Sequence, residues 1–137
     1  MPNEHERLSA LRRFNILDTA PEPHFDQIVG LVQAICHVPI ALISLVDEHR
    51  QWFKAKLGTS AGETGIDTSV CALAIRQRDI FQIEDLSRDP RTSAMSLVTQ
   101  APHIRFYAGA PLVTADGTAI GSLCAIDTAP RLSLIHI

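Results

Sequence analysis

Three cysteines carry the most distinctive chemistry this chain has available, and they stand far apart, at positions 36, 71 and 124. A thiolate is a nucleophile, a redox centre and a metal ligand, but near neutral pH it forms beside positive charge or a comparable stabilising group. No Lys or Arg adjoins Cys71 or Cys124. The sequence therefore predicts three dispersed, buried thiols behaving as small hydrophobes. Their odd number and wide spacing fit reduced cysteines rather than a disulfide framework. His5, His24, His37, His49 and His103 show no metal-ligand spacing with one another or with cysteine, so no metal is expected. The carboxylates Asp85, Asp89, Asp116 and Asp127 fall at strand ends and turns, where capping and turn roles account for them. Nucleophile elbow, phosphate loop and dinucleotide fingerprint are all missing from the sequence. Catalysis and a bound cofactor are accordingly not expected of this chain.

The elements that must position these groups are legible in outline. Arg105 to Asp127 reads as two strands closed by Ala115-Asp116-Gly117-Thr118, where Asp-Gly suits the positive-φ positions of a tight hairpin turn. Small residues crowd this hairpin at Gly109, Ala110, Gly121 and Ser122. Glycine inside a strand marks close approach of a backbone or a ligand, so helix-on-sheet packing and a pocket floor both remain open. Glu4 to Leu17 reads as a helix whose Leu8, Leu11, Phe14 and Leu17 make a stripe narrow enough for a helix–helix seam. Thr19 and Glu22 form a capping-box pattern before a second helix that runs to about Cys36. Ile40 to Val46 is an apolar run for a central strand, paired through Asp47–Arg50 with Gln51 to Leu57. Strict alternation there puts Phe53, Ala55 and Leu57 on one face and Trp52, Lys54 and Lys56 on the other. Gly58 to Thr68 reads as a polar loop of functional length. Ser69 caps a short helix from Val70 to Arg76, and Asp79 to Asp85 reads as a further strand. The order describes an α+β domain with a mainly antiparallel sheet of five to six strands.

Composition narrows the function classes. The chain has 137 residues, enough for one domain with a real core, and carries twelve basic against fifteen acidic residues for a net charge of -3. The basic residues are scattered, so no nucleic-acid footprint is present. The longest apolar run, Val38 to Val46, is too short to span a bilayer, and the charged N-terminus carries no signal-peptide core. No membrane insertion is expected, and a cytoplasmic location is the default.

Four segments together resemble the GAF domain of bacterial signalling proteins: Glu6–Glu22, Val38–Lys54, Asp67–Ile75 and Ile104–Asp127. The likeness is to N-terminal GAF domains that precede histidine kinase or diguanylate cyclase output domains, as in two-component systems. It implies helices on one side of the sheet and, on the other, a small-molecule pocket roofed by the short helix and by the loops Gly58–Thr68 and Leu86–Gln100. Mapped by position, the implied pocket groups are Ser44, Phe53, Cys71, Asp85, Arg105, Tyr107 and Cys124. The short helix departs from the usual Phe-Cys-Ala-His-Ala-Ile pattern, with Val70 and Leu73 replacing the aromatic and the imidazole. The Asn-Lys-x-Phe-Asp-Glu signature of cyclic-nucleotide relatives does not occur, which disfavours cGMP and cAMP.

The resemblance implies a regulatory module, without catalysis of its own, that binds an unidentified small molecule and biases an output domain. Leu8, Leu11, Phe14 and Leu17 are the expected homodimer seam. Two alternatives are a GAF-fold thiol redox enzyme of the free methionine-sulfoxide reductase kind, and a degenerate domain serving only as a dimerising spacer. In domain terms, residues 1–18 are the N-terminal helix, 19–130 the GAF domain, and 131–137 a tail. Within that tail LSLIHI matches the peptide that a sequencing-library transposon adapter encodes in one frame. The tail is thus expected to be foreign, with the natural chain continuing past Arg131.

Overall fold

A computed structural model describes residues 3–132. Helix α1 (Glu4–Arg13) and helix α2 (Pro23–Cys36) precede a hairpin of β1 (Ile40–Val46) and β2 (Arg50–Leu57). Then follow β3 (Glu63–Gly65), a 3₁₀ turn at Ile66–Thr68, α3 (Val70–Ala74), β4 (Phe81–Ile83) and α4 (Ser96–Thr99). A second hairpin of β5 (Phe106–Val113) and β6 (Ala119–Asp127) closes the domain. The six strands form one sheet in the order β3-β2-β1-β6-β5-β4, antiparallel at every pairing. This is the expected α+β architecture, with β3 as a strand inside what the sequence presents as a plain loop.

Alternation along β1 sorts the core into two layers. Ile40, Leu42 and Val46 join Phe53, Tyr107, Cys124 and Ile126 beneath α3. Ala41 and Ile43 join Val29 and Ala55 beneath α2, with Phe25, Leu57 and Leu123 packed around them. Phe53 and Ala55 therefore face opposite layers, contrary to strict alternation along β2. The register shows why. Ser44 pairs with Phe53 and Ile43 with Ala55, so Lys54 is an extra residue with no partner on β1. A bulge of this kind resets the alternation.

Lys54 is consequently buried rather than solvated. Its ammonium donates to Thr19 Oγ1 (2.7 Å) and to the Ala20 carbonyl (2.7 Å), pairs with Glu22 Oε2 (2.6 Å), and sits 5.7 Å from the centroid of the Phe25 ring. Arg50 does the same nearby, gripping Asp18 at 2.7 Å and Glu63 at 2.9 Å. Two cations on β2 thus hold down the connection between α1 and α2. Thr19 does not cap α2. The N-cap is Glu22 with Pro23 in the first turn, because Thr19 is committed to the Ile16 carbonyl and to Lys54.

The first helix ends at Arg13, so Phe14 and Leu17 lie outside it. Leu8 and Leu11 are buried inside their own domain, with α1 lying against β6, while Phe14 is 57% exposed. The expected seam Leu8–Leu11–Phe14–Leu17 is therefore corrected: half of it is already used in folding. Arg7 fastens the helix by donating to the Val46 carbonyl at 2.7 Å. The exposed apolar helical face is on α2 instead, at Ile28, Leu31 and Ile35.

At the chain's end Arg131 belongs to the fold rather than to the tail. It is buried, donates to the Cys36 carbonyl at 2.8 Å and lies over the Phe106 ring. Leu132 is exposed, and the rest of the expected foreign segment, 133–137, lies outside the described residues.

Candidate functional site

A cavity of about 180 Å³ lies between the sheet and its roof. Ile40 and Leu42 of β1, Gln51 and Phe53 of β2, Tyr107 of β5 and Ile126 of β6 form the sheet side. Val70 and Cys71 of α3, Leu97 of α4, and the loop residues Thr59, Ala61, Thr64, Thr68, Pro102 and Ile104 form the rest. None of these lining side chains carries a charge. An anion or cation placed here would lose its water without gaining a counter-charge, which excludes phosphate-rich or strongly ionic ligands on energetic grounds.

Local sequence explains how the roof is set. Ser69 Oγ accepts the Ala72 N–H at 3.0 Å, so the short helix is capped as its sequence predicts, and the same hydroxyl donates to Gln51 Oε1 at 2.7 Å. Ser44 also donates to Gln51 Oε1, and Gln51 Nε2 donates to Thr64 Oγ1 at 2.6 Å. Gln51 is the hub that ties the roof helix and the β3 segment to β1. Sequence reasoning passed over it as the first residue of a strand. Its signal was a polar side chain facing the same way as Phe53.

Phe53, Cys71 and Tyr107 line the cavity, and Ser44 and Cys124 lie buried beneath it. Asp85 and Arg105 do not take part. Asp85 accepts from the Ser87 N–H and hydroxyl in a tight turn, which holds its carboxyl below the usual range. Arg105 is spent on the carbonyls of Val98 and Ile104. Both are corrected from ligand groups to loop fasteners.

The cysteines are not all dispersed. Cys71 Sγ and Cys124 Sγ are 3.9 Å apart, although the residues stand 53 positions apart in sequence. The Tyr107 hydroxyl donates to Cys71 Sγ at 3.1 Å and is 3.1 Å from Ser122 Oγ. Gly109 makes room for this arrangement: a Cβ there would stand 2.4 Å from the Tyr107 hydroxyl and 2.5 Å from Ser122 Oγ. The hydrogen bond shared with Cys124, aided by those of Tyr107, Ser44 and Ser122, holds the Cys71 thiol down to about 7 against the opposing effect of burial. Sharing with Cys71 and burial push Cys124 up, and burial pushes Tyr107 up. The pair is thus unequal, with Cys71 the more acidic thiol and Cys124 the less acidic one. Cys36 lies on the other side of the sheet with Val38 and Ala125. Among the described residues no His, Cys, Asp and Glu group is placed to hold a metal ion, and no helix is long and apolar enough to cross a membrane.

The family model described as GAF domain matches residues 20–136. A cyclic di-GMP phosphodiesterase of Pseudomonas aeruginosa is 40% identical over 129 residues. That match takes in 94% of this chain but 22% of the relative, so the chain spans about a fifth of that protein's length. Among solved structures, the GAF domain of an Acinetobacter phosphoenolpyruvate-protein phosphotransferase superimposes with a TM-score of 0.62 at 21% identity, over 96% of this chain and 81% of that one. The free methionine-R-sulfoxide reductase of Neisseria meningitidis superimposes with a TM-score of 0.64 at 16% identity, over 94% and 75% of the two chains. At these identities the superpositions speak for the fold alone.

Proposed function

The chain belongs to the GAF domain family, and from that premise we propose that it is a regulatory sensing module whose ligand is a compact, uncharged, largely apolar small molecule. The observation that carries the reading is the cavity of about 180 Å³ with its uncharged lining. An apolar cavity of roughly 150 Å³ takes up benzene, so the natural ligand is about the size of one ring with a small substituent. Gln51 and the Thr59, Thr64 and Thr68 hydroxyls offer it a polar edge.

The module itself does no chemistry on the ligand. Occupancy biases the roof, and the helices on the opposite face pass that bias to an output domain. The phosphodiesterase relative supports an output that acts on cyclic dinucleotides, ahead of a histidine kinase. Homodimerisation stays in the reading, moved from α1 to the exposed Ile28, Leu31 and Ile35 of α2, whose spacing makes a narrow seam. Light scattering of the chain at high concentration is expected to give twice the monomer mass, and a monomer there removes the dimer from the reading.

Thermal denaturation of the chain with a panel of uncharged single-ring compounds tests the sensor itself. A ligand at a hundred times its Kd adds about 2.7 kcal/mol, which raises Tm by roughly 8–13 °C for a domain of this size. Val70→Phe, which adds a ring at a buried position of the cavity wall, is expected to abolish the rise. An unmoved Tm across the panel favours the degenerate-spacer alternative.

A further inference from the structure

Beneath the cavity lies a chemical pair that ligand binding does not use. Cys71 and Cys124 are each at most 2% exposed, their sulfurs are 3.9 Å apart, and Cys71 forms part of the cavity wall. A disulfide brings its sulfurs to about 2.05 Å, so closure needs the two sulfurs to approach by roughly 1.9 Å. The cavity supplies the route by which a small reagent reaches Cys71, and no other thiol competes, since Cys36 is across the sheet.

We propose that Cys71 and Cys124 are a hydroperoxide-responsive dithiol, with Cys71 the attacking and Cys124 the resolving thiol, and that their disulfide clamps the roof helix to the sheet. In the first step the Cys71 thiolate attacks the terminal oxygen of a small hydroperoxide. The S–O bond forms, the O–O bond breaks, and the departing alkoxide or hydroxide takes a proton to leave as alcohol or water. Cys71 is then a sulfenic acid. In the second step the Cys124 sulfur displaces that hydroxyl, the S–S bond forms, and the thiol proton leaves with the hydroxyl as water. Two electrons pass from the two sulfurs to the peroxide bond, and the sum is two thiols plus one hydroperoxide giving disulfide, alcohol or water, and one further water. Tyr107, itself hydrogen-bonded to Ser122, donates to Cys71, and that bond favours the thiolate that begins the sequence.

The consequence is mechanical. Cys71 sits on the roof helix and Cys124 mid-strand beside β1 and β5, so the bond joins the roof of the cavity to the sheet beneath it. Oxidation would set the cavity's shape, and thus its ligand affinity, in proportion to peroxide exposure. The inference stands apart from the sensor reading, because it needs a thiol pair and not a resident ligand.

The test is peptide mapping and intact mass of the reduced chain after exposure to hydrogen peroxide or tert-butyl hydroperoxide, each at several pH values. The expected result is loss of two of the three thiols, a mass lower by two hydrogens, and a Cys71–Cys124 crosslinked peptide. Cys36→Ser should behave like the unsubstituted chain, and Cys124→Ser should stop at a Cys71 sulfenic acid that dimedone captures. The rate should rise through pH 7, and Tyr107→Phe should move that rise to higher pH, which a merely structural role for Tyr107 would not do. Three intact thiols under conditions that oxidise glutathione would overturn the proposal, as would a crosslink through Cys36 or between chains. Oxidation by methionine sulfoxide with none by either hydroperoxide would also overturn it and mark the pair as a reductase centre. If a variant fails to fold by circular dichroism, the crosslink map of the unsubstituted chain still decides.

Discussion

Gly121→Ala is expected to remove most of the stability of this domain, lowering its unfolding free energy by roughly 4 kcal/mol or more. A Cβ at position 121 would stand 2.2 Å from the Ser44 carbonyl oxygen and 3.0 Å from Leu45 Cα. Both are backbone atoms of β1, and Leu45 is the register partner of Gly121. No side-chain rotation relieves the clash, so β1 and β6 must part at the centre of the sheet. Domains of this kind hold about 5–15 kcal/mol in total, which leaves the variant marginal. Gly30→Ala is the matched control. It lies within α2 with nothing inside 4 Å of the added methyl, and is expected to gain about 0.4–1 kcal/mol. Urea unfolding followed by circular dichroism reads both, and a Gly121→Ala loss below about 1 kcal/mol would contradict the strand packing.

Lys54→Ala should cost roughly 2–3 kcal/mol, far beyond the effect of losing a surface lysine. Removing one partner of a fully buried ion pair costs about 3–5 kcal/mol. Here the Lys54 side chain is fully buried while Glu22 remains 52% exposed, so water recovers part of the loss on the carboxylate side. The Thr19 hydroxyl and Ala20 carbonyl lose their donor as well. Lys54→Met keeps the packed stem against Phe25 and should recover about half of the loss. Equal midpoints for Lys54→Ala and the unsubstituted chain would mean that the α1–α2 connection holds without its anchor.

Lys54 also shows where the sequence stopped being readable. A bulge leaves no mark in a period-2 pattern, so Lys54 reads as a solvated strand residue and Phe53 as a neighbour of Ala55. Only the pairing with β1 reveals the slip. Elements fixed by local chemistry were legible: the Ser69 cap, both hairpins, and the apolar β1 run. In the β5–β6 turn the positive φ falls on Gly117 alone, with the Gly117 N–H donating to the Thr114 carbonyl. The crowding of small residues around Gly109 and Gly121 left packing and pocket floor open, and the two glycines divide the answer. Gly121 lets a strand approach, whereas Gly109 lets the Tyr107 ring lie flat below the cavity. Within the site, Phe53 and Tyr107, which the resemblance implies by position, lie in the cavity wall. Asp85 and Arg105, implied by position alone, fasten loops outside the cavity, a use that position in a related fold does not tell apart from ligand contact. The Cys71–Cys124 contact was out of reach, since it depends on how α3 folds back over β6.

Carbon-13 methyl NMR of the chain titrated with benzene tests the central claim, that the cavity is a binding site for a compact apolar ligand. The account predicts saturable shifts for the Ile40, Leu42, Val70, Leu97 and Ile126 methyls, unmoved Val29 and Ile43 methyls beneath α2, and loss of the response in Val70→Phe. Shifts spread evenly over both layers, or none at saturating benzene, would contradict it.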